Sequence, residues 1–143
     1  MKKVFLAMML IIGMNYSLNA KEDYFRYQFK YFNDDEFTEA NRVAQKENKI
    51  IVLFLLGNTA YDQDFIKYQL LNKKVGKILK EDFVVVIIKD DAVGQKYAKY
   101  FDGIVVVPSV LFAQNGEILY KAISGADMPL YKILLQVKQT LKK

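Results

Sequence analysis

The side chains able to do chemistry in this chain are few, and three capable types are missing. No cysteine, histidine or tryptophan occurs among its 143 residues. Without cysteine there is no thiolate nucleophile and no disulfide. Without histidine as well, Ser-His-Asp and Cys-His catalysis, His or Cys zinc sites and His-ligated haem are excluded. Beyond residue 20 the serine and threonine hydroxyls are Ser109, Ser124, Thr38, Thr59 and Thr140. A lysine can activate such a group in principle, but no spacing sets a particular lysine beside one of them. Ser109 follows a proline, where a hydroxyl more simply bonds backbone. Carboxylates pair at Asp62 with Asp64 and at Asp90 with Asp91, and Asp34-Asp35-Glu36 forms an acidic run. The first pair and the run open expected helices, where the macrodipole favours acids, and Asp90-Asp91 falls in a strand-to-helix turn. These residue types support no catalytic residue, no metal site and no cofactor.

The chain starts with Lys2 and Lys3, an apolar run from Val4 to Met14, and a polar stretch ending at Ala20. That pattern predicts a cleaved secretory signal over residues 1–20. The apolar run is well short of the roughly 20 residues that span a bilayer, so no stable membrane span is expected after cleavage. No cysteine follows it to carry a lipid. Residues 21–143 are then a single domain, large enough to build a core without disulfides. The expected location is the periplasm, with secretion as the alternative. The mature chain has nineteen basic and sixteen acidic residues, well mixed. Such a mild excess makes no case for nucleic acid.

These residues must be positioned by elements that the pattern makes legible. Aromatics alternate with Arg26, Gln28 and Lys30 from Phe25 to Tyr31, which predicts a half-buried first strand. The same alternation suits a nucleic-acid stacking platform, a reading set aside for an exported protein. Asn33 with Glu36 makes a capping-box start, after which Phe37, Ala40 and Ala44 line one helical face. Ile50 to Leu56 is a central strand covered on both sides. A second helix runs to about Lys80, with Phe65, Ile66, Leu70, Ile78 and Leu79 inward. Phe83 to Ile88 is another buried strand, and Val93, Tyr97, Ala98 and Phe101 mark a third, shorter helix. Val110–Ala113 and Ile118–Ser124 flank Asn115-Gly116, a strong hairpin signal. The last helix carries Leu130, Ile133, Leu134, Val137 and Leu141 on one face. Asp127 is its candidate N-cap, Pro129 lies in its first turn, and Lys138, Lys142 and Lys143 suit its C-terminal end. The order β-α-β-α-β-α-β-β-α describes a three-layer α/β/α sandwich around a mixed sheet.

Several local features carry a family resemblance. Leu55-Leu56-Gly57-Asn58-Thr59-Ala60-Tyr61-Asp62-Gln63-Asp64-Phe65 resembles the active-site arm of the thioredoxin-like superfamily. Phe37-Thr38-Glu39-Ala40, with Ala44-Gln45-Lys46-Glu47-Asn48-Lys49, is similar to the lead-in of its exported domains. Gly103 to Phe112 is similar to its loop before a cis-proline and the strand that follows. The resemblance covers roughly residues 33–141 and implies a thioredoxin-like fold, a groove and a cis-proline loop. It places the positions of the family's Cys-x-x-Cys pair at Ala60 and Gln63, with Thr59 where the family has tryptophan. Val106 stands where many relatives have a small residue, and Ile50–Leu56 lacks the carboxylate that assists exchange.

The fold's dithiol–disulfide exchange is therefore excluded. The leading expectation is a redox-inactive binding or chaperone-like module for a protein or peptide partner. If Pro108 is cis, Val107 would offer its backbone to an extended peptide, with Thr59, Ala60 and Tyr61 as the opposite wall. One alternative is a structural or adaptor subunit of an envelope assembly, which a tyrosine-rich first strand would suit. The other is an enzyme with non-thiol chemistry.

Overall fold

The computed structural model describes residues 27–89, 95–101, 107–123 and 129–141. The expected signal peptide, Asp90-Asp91, Val93, Val106, Ser124 and the Asp127 cap lie outside the described residues.

Two continuous apolar runs make the centre of the molecule. Strand β2 (Ile50–Leu55) and strand β3 (Phe83–Ile88) are buried at every position and pair in parallel, from Ile50 opposite Phe83 to Leu55 opposite Ile88. Alternate side chains enter opposite cores. Val52 and Phe54 face one with Val85 and Ile87, while Ile51 and Leu53 face the other with Val84 and Val86. That two-sided burial is why neither strand shows polar alternation. The short β1 (Phe32–Asn33) runs parallel to β3. On the other side β4 (Ser109–Gln114) pairs antiparallel with β2, and β5 (Glu117–Ile123) antiparallel with β4. The sheet order is β1-β3-β2-β4-β5. Between β4 and β5 the backbone turns through Asn115 (φ 54°) and Gly116 (φ 80°), the two positive values that a type I′ hairpin needs.

Helix α1 (Phe37–Glu47) covers one face through Ala40 and Ala44. Its start follows the expected capping box, with the Asn33 amide donating to Glu36 Oε1 at 3.0 Å. It stops where Asn48 turns left-handed (φ 54°, ψ 50°), a conformation that Asn tolerates at a helix end. The 3₁₀ segment Gln95–Phe101 lies on the same face. It is tied to the start of α1, since Lys96 pairs with Asp34 Oδ2 at 2.6 Å and the Tyr97 hydroxyl donates to Asp34 Oδ1 at 3.0 Å. Helices α2 (Ala60–Phe65), α3 (Lys73–Asp82) and α4 (Leu130–Leu141) cover the opposite face with Phe65, Val75, Leu79, Leu130 and Leu134.

Three elements differ from the sequence expectation. Residues 27–31 are not a strand, because Gln28 has φ 62° and turns the backbone. The alternation survives as burial: Tyr27 and Phe29 stack at 5.4 Å and are 1% and 0% exposed. They cover α3 at Gly76, where a Cβ would come within 3.2 Å of the Tyr27 carbonyl oxygen. Tyr27 and Phe29 are therefore not available to an interface, and Tyr31 is half-buried. The second helix is not one piece. After α2 the chain makes a π-helical turn (Ile66–Leu70) and restarts at Asn72, whose side chain accepts from the Lys74 and Val75 amides at 2.9 and 3.3 Å. The third helix is 3₁₀ rather than α over the residues described.

Candidate functional site

Strand β2 ends at Leu55, and the chain passes Leu56 and Gly57 to enter α2. Thr59 is the N-cap, extended at φ −79° and ψ 168°. Its carbonyl accepts from Gln63 at 3.1 Å, and its hydroxyl oxygen accepts from the Asp62 amide at 3.3 Å. Such a cap contributes about 1 kcal/mol to a helix start. The Thr59 hydroxyl also donates to Asp62 Oδ2 at 2.5 Å, and the Thr59 amide donates to the same oxygen at 3.0 Å. The other carboxyl oxygen, Oδ1, accepts from the Gly57 amide at 2.8 Å. Asp62 is 0% exposed. A group buried this fully requires partners for its oxygens, and here both oxygens accept from the loop that precedes the helix.

The second wall comes from the loop before β4. The Val107–Pro108 peptide bond is cis, Val107 is half-buried, and Pro108 is buried. Val107 reaches the first wall directly. A Cβ added to Gly57 would lie 2.8 Å from Val107 Cγ2 and 3.0 Å from Asp62 Oδ2. Glycine is required at position 57 by space, because Val107 and Asp62 fill the volume a side chain would need. Ser109, the next residue after Pro108, is 0% exposed in β4 and sits opposite Leu55.

The structure thus gathers Thr59, Asp62, Gly57 and Val107 at one place. Ala60, Tyr61 and Gln63 are on the same helix turn but exposed, Tyr61 at 69%. Of the two residue pairs at three-residue spacing, it is Thr59 and Asp62 whose side chains meet. Asp64, the other half of the carboxylate pair, is exposed, so the pair does not share a site. Gly57 and the buried role of Asp62 escape a reading from sequence. The usable signal was Thr59-x-x-Asp62, the capping-box spacing. Thr38 and Thr140 are exposed on α1 and α4, apart from this cluster. Among the described residues no group of His, Cys, Asp or Glu could hold a metal ion, and no helix is long and apolar enough to cross a membrane.

No family model matches the chain, and no curated protein matches it. Solved structures do. It is similar to the solution structure of a thioredoxin from Thermus thermophilus, at TM-score 0.61 and 20% identity over 80% of this chain and 88% of that one. A protein described as DsbH oxidoreductase gives TM-score 0.58 and 17% identity, over 80% and 85% of the two chains. A poplar thioredoxin h gives 0.56 and 15%, over 75% and 95%. At these identities the likeness concerns the fold alone. The chain therefore has the thioredoxin-like α/β fold, built without the Cys-x-x-Cys pair or any other cysteine.

Proposed function

We propose that the protein is an exported, redox-inactive domain. In this reading it binds a protein or peptide segment at the cleft between the start of α2 and the loop before β4. The observation that carries this reading is the close packing at Gly57, where Val107 from one wall and Asp62 from the other leave no room for a side chain. Packing at Gly57 brings the two walls together, and hydrogen bonds to Asp62 fix the first of them, with no thiol involved. Tyr61, at 69% exposure on the rim, supplies an aromatic surface of the kind that anchors partners at low entropic cost. Thiol–disulfide exchange is out of reach for a chain with no cysteine. Within this reading the positions of the two thiols stay at Ala60 and Gln63, both exposed on α2 beside the Thr59–Asp62 pair. The periplasm is the proposed location, on the form of residues 1–20.

The test is photo-crosslinking in the native host from a photoreactive residue at Ala60 or Tyr61, with Gln45 on α1 as control. A discrete product from the cleft positions and none from Gln45 is the expected result. Equal capture from all three positions, or none, overturns the reading. The adaptor alternative draws on Leu119 and Tyr120, 44% and 45% exposed on the edge strand β5. A stable oligomer by light scattering would favour it.

A further inference from the structure

The two helical layers differ in how their charges are arranged. On the α1 side acids and bases interleave and pair: Arg42 with Glu39 at 2.6 Å, Lys49 with Glu47 at 3.7 Å, Lys96 with Asp34 at 2.6 Å. On the other side, the chain between Asp64 and Glu81 holds five lysines and no carboxylate. All five, Lys67, Lys73, Lys74, Lys77 and Lys80, are exposed. None of them has an ion-pair partner among the described residues. The acids nearest in sequence on α3 are Glu81, exposed at its end, and Asp82, which is engaged by Lys138 at 3.0 Å.

Helix geometry sharpens this into a surface. Val75, Gly76, Ile78 and Leu79 turn α3 toward the core. Lys73, Lys77 and Lys80, at i, i+4 and i+7, therefore share the outward stripe over about 10 Å of axis. Lys67 lies on the preceding π turn with its ammonium 5.2 Å from the centre of the Tyr68 ring, and Tyr68 is 55% exposed. Unpaired lysines beside an exposed tyrosine are the composition that meets an anionic headgroup layer, where lysines take the charge and tyrosine sits at the interface.

We propose that the outward face of α3, with Lys67 and Tyr68, docks on the surface of an anionic phospholipid bilayer. Because the apolar side of α3 is already buried in the domain, the contact is electrostatic and salt-sensitive rather than inserted. A convex lysine stripe fits a flat headgroup plane. A nucleic-acid strand would instead call for a groove with stacking rings. This inference does not depend on the cleft being used.

The test is sedimentation of the full chain with vesicles of phosphatidylcholine, with or without phosphatidylglycerol. The measured quantity is the ratio of the two affinities at roughly physiological ionic strength. It is compared between variants that all carry the same N-terminal residues, so that the contribution of Lys2, Lys3 and the apolar run is common to all of them. The wild type is expected to prefer anionic vesicles by about tenfold or more, and Lys73→Glu/Lys77→Glu to lose most of that preference. Lys46→Glu/Lys99→Glu, the same charge change on the other layer, is expected to stay within about twofold of wild type. Lys74→Gln/Lys80→Gln serves as a second, milder pair, and circular dichroism checks that each variant folds. No anionic preference, or an equal loss in both Glu pairs, overturns the proposal. So does displacement from the vesicles by a single-stranded oligonucleotide at lower concentration than by soluble phosphatidylglycerol.

Discussion

The Thr59 hydroxyl and the Asp62 carboxyl meet at 2.5 Å, and the same hydroxyl accepts from the Asp62 amide at 3.3 Å. A threonine and an aspartate thus close the start of α2 on each other by hydrogen bonds. The Gly57 and Thr59 amides converge on the same carboxyl, so the loop entering the helix is organised around one buried side chain.

Asp62→Ala leaves the Gly57 and Thr59 amides without their acceptor. It is expected to lower the unfolding free energy by about 2–4 kcal/mol, read from the urea midpoint. Asp64→Ala, at an exposed site two residues on, is expected to change it by no more than about 0.5 kcal/mol. Equal effects would show that the buried carboxyl does not organise the loop.

Replacing the meeting pair with thiols tests the geometry in another way. Thr59→Cys/Asp62→Cys is expected to form an intramolecular disulfide under mild oxidation, because these two side chains already touch. Ala60→Cys/Gln63→Cys places both thiols inside the helix, where Cβ atoms three residues apart are about 5–6 Å distant. A disulfide prefers about 3.8 Å, so that bridge is expected to be slower to form and easier to reduce. Thiol counts against a dithiothreitol gradient decide the order.

Gly57→Ala puts a methyl group 2.8 Å from Val107 Cγ2 and 3.0 Å from Asp62 Oδ2. One wall of the cleft must shift, and the expected loss of stability is about 1–3 kcal/mol. Gly116→Ala has free space around it but a φ of 80°, so its expected cost, about 1 kcal/mol, comes from the backbone alone. Thermal unfolding of both separates crowding from strain.

Tyr97 is held protonated well above the usual phenol range, first by burial and then by the Asp34 carboxylate that its hydroxyl faces. In the unfolded chain it ionises near its ordinary value of 10.0. The folded state therefore keeps a proton that the unfolded state gives up, and stability falls as pH rises above about 10. The contribution is complete below that pH and is lost as pH climbs toward the folded-state value. Tyr97→Phe is expected to flatten this alkaline slope in urea midpoints taken at rising pH. An unchanged slope would assign it to other groups.

Much of the fold was legible because β2 and β3 are apolar without interruption, and because Asn115-Gly116 can hardly be anything but a tight turn. The Asn33–Glu36 start and the inward face of α4 also follow from spacing alone. The break at Asn72 is marked only by a change of phase. Val75, Ile78 and Leu79 share a face at i, i+3 and i+4, but Leu70 lies five residues before Val75, about 140° away on an α-helix, and a single Asn recaps the chain. The turn at Gln28 did not show, because alternating burial of Tyr27 and Phe29 arises equally from a strand and from a loop pressed on α3. At the site, Thr59-x-x-Asp62 is visible as a cap. What does not show is that Asp62 is fully buried with both oxygens bonded to the preceding loop, and that Val107 arrives from a distant part of the chain to pack beside Gly57. No local pattern records that meeting.

The hairpin turn has a practical consequence. Strand β4 begins at Ser109 beside the cleft and ends at Gln114, about 17 Å away along its length. Asn115 and Gly116 are exposed, and a side chain at 116 would meet nothing within 4 Å. The tip is thus a ready attachment point: a dye or affinity label attached there rides on the same strand as the cleft while staying a strand's length from its walls.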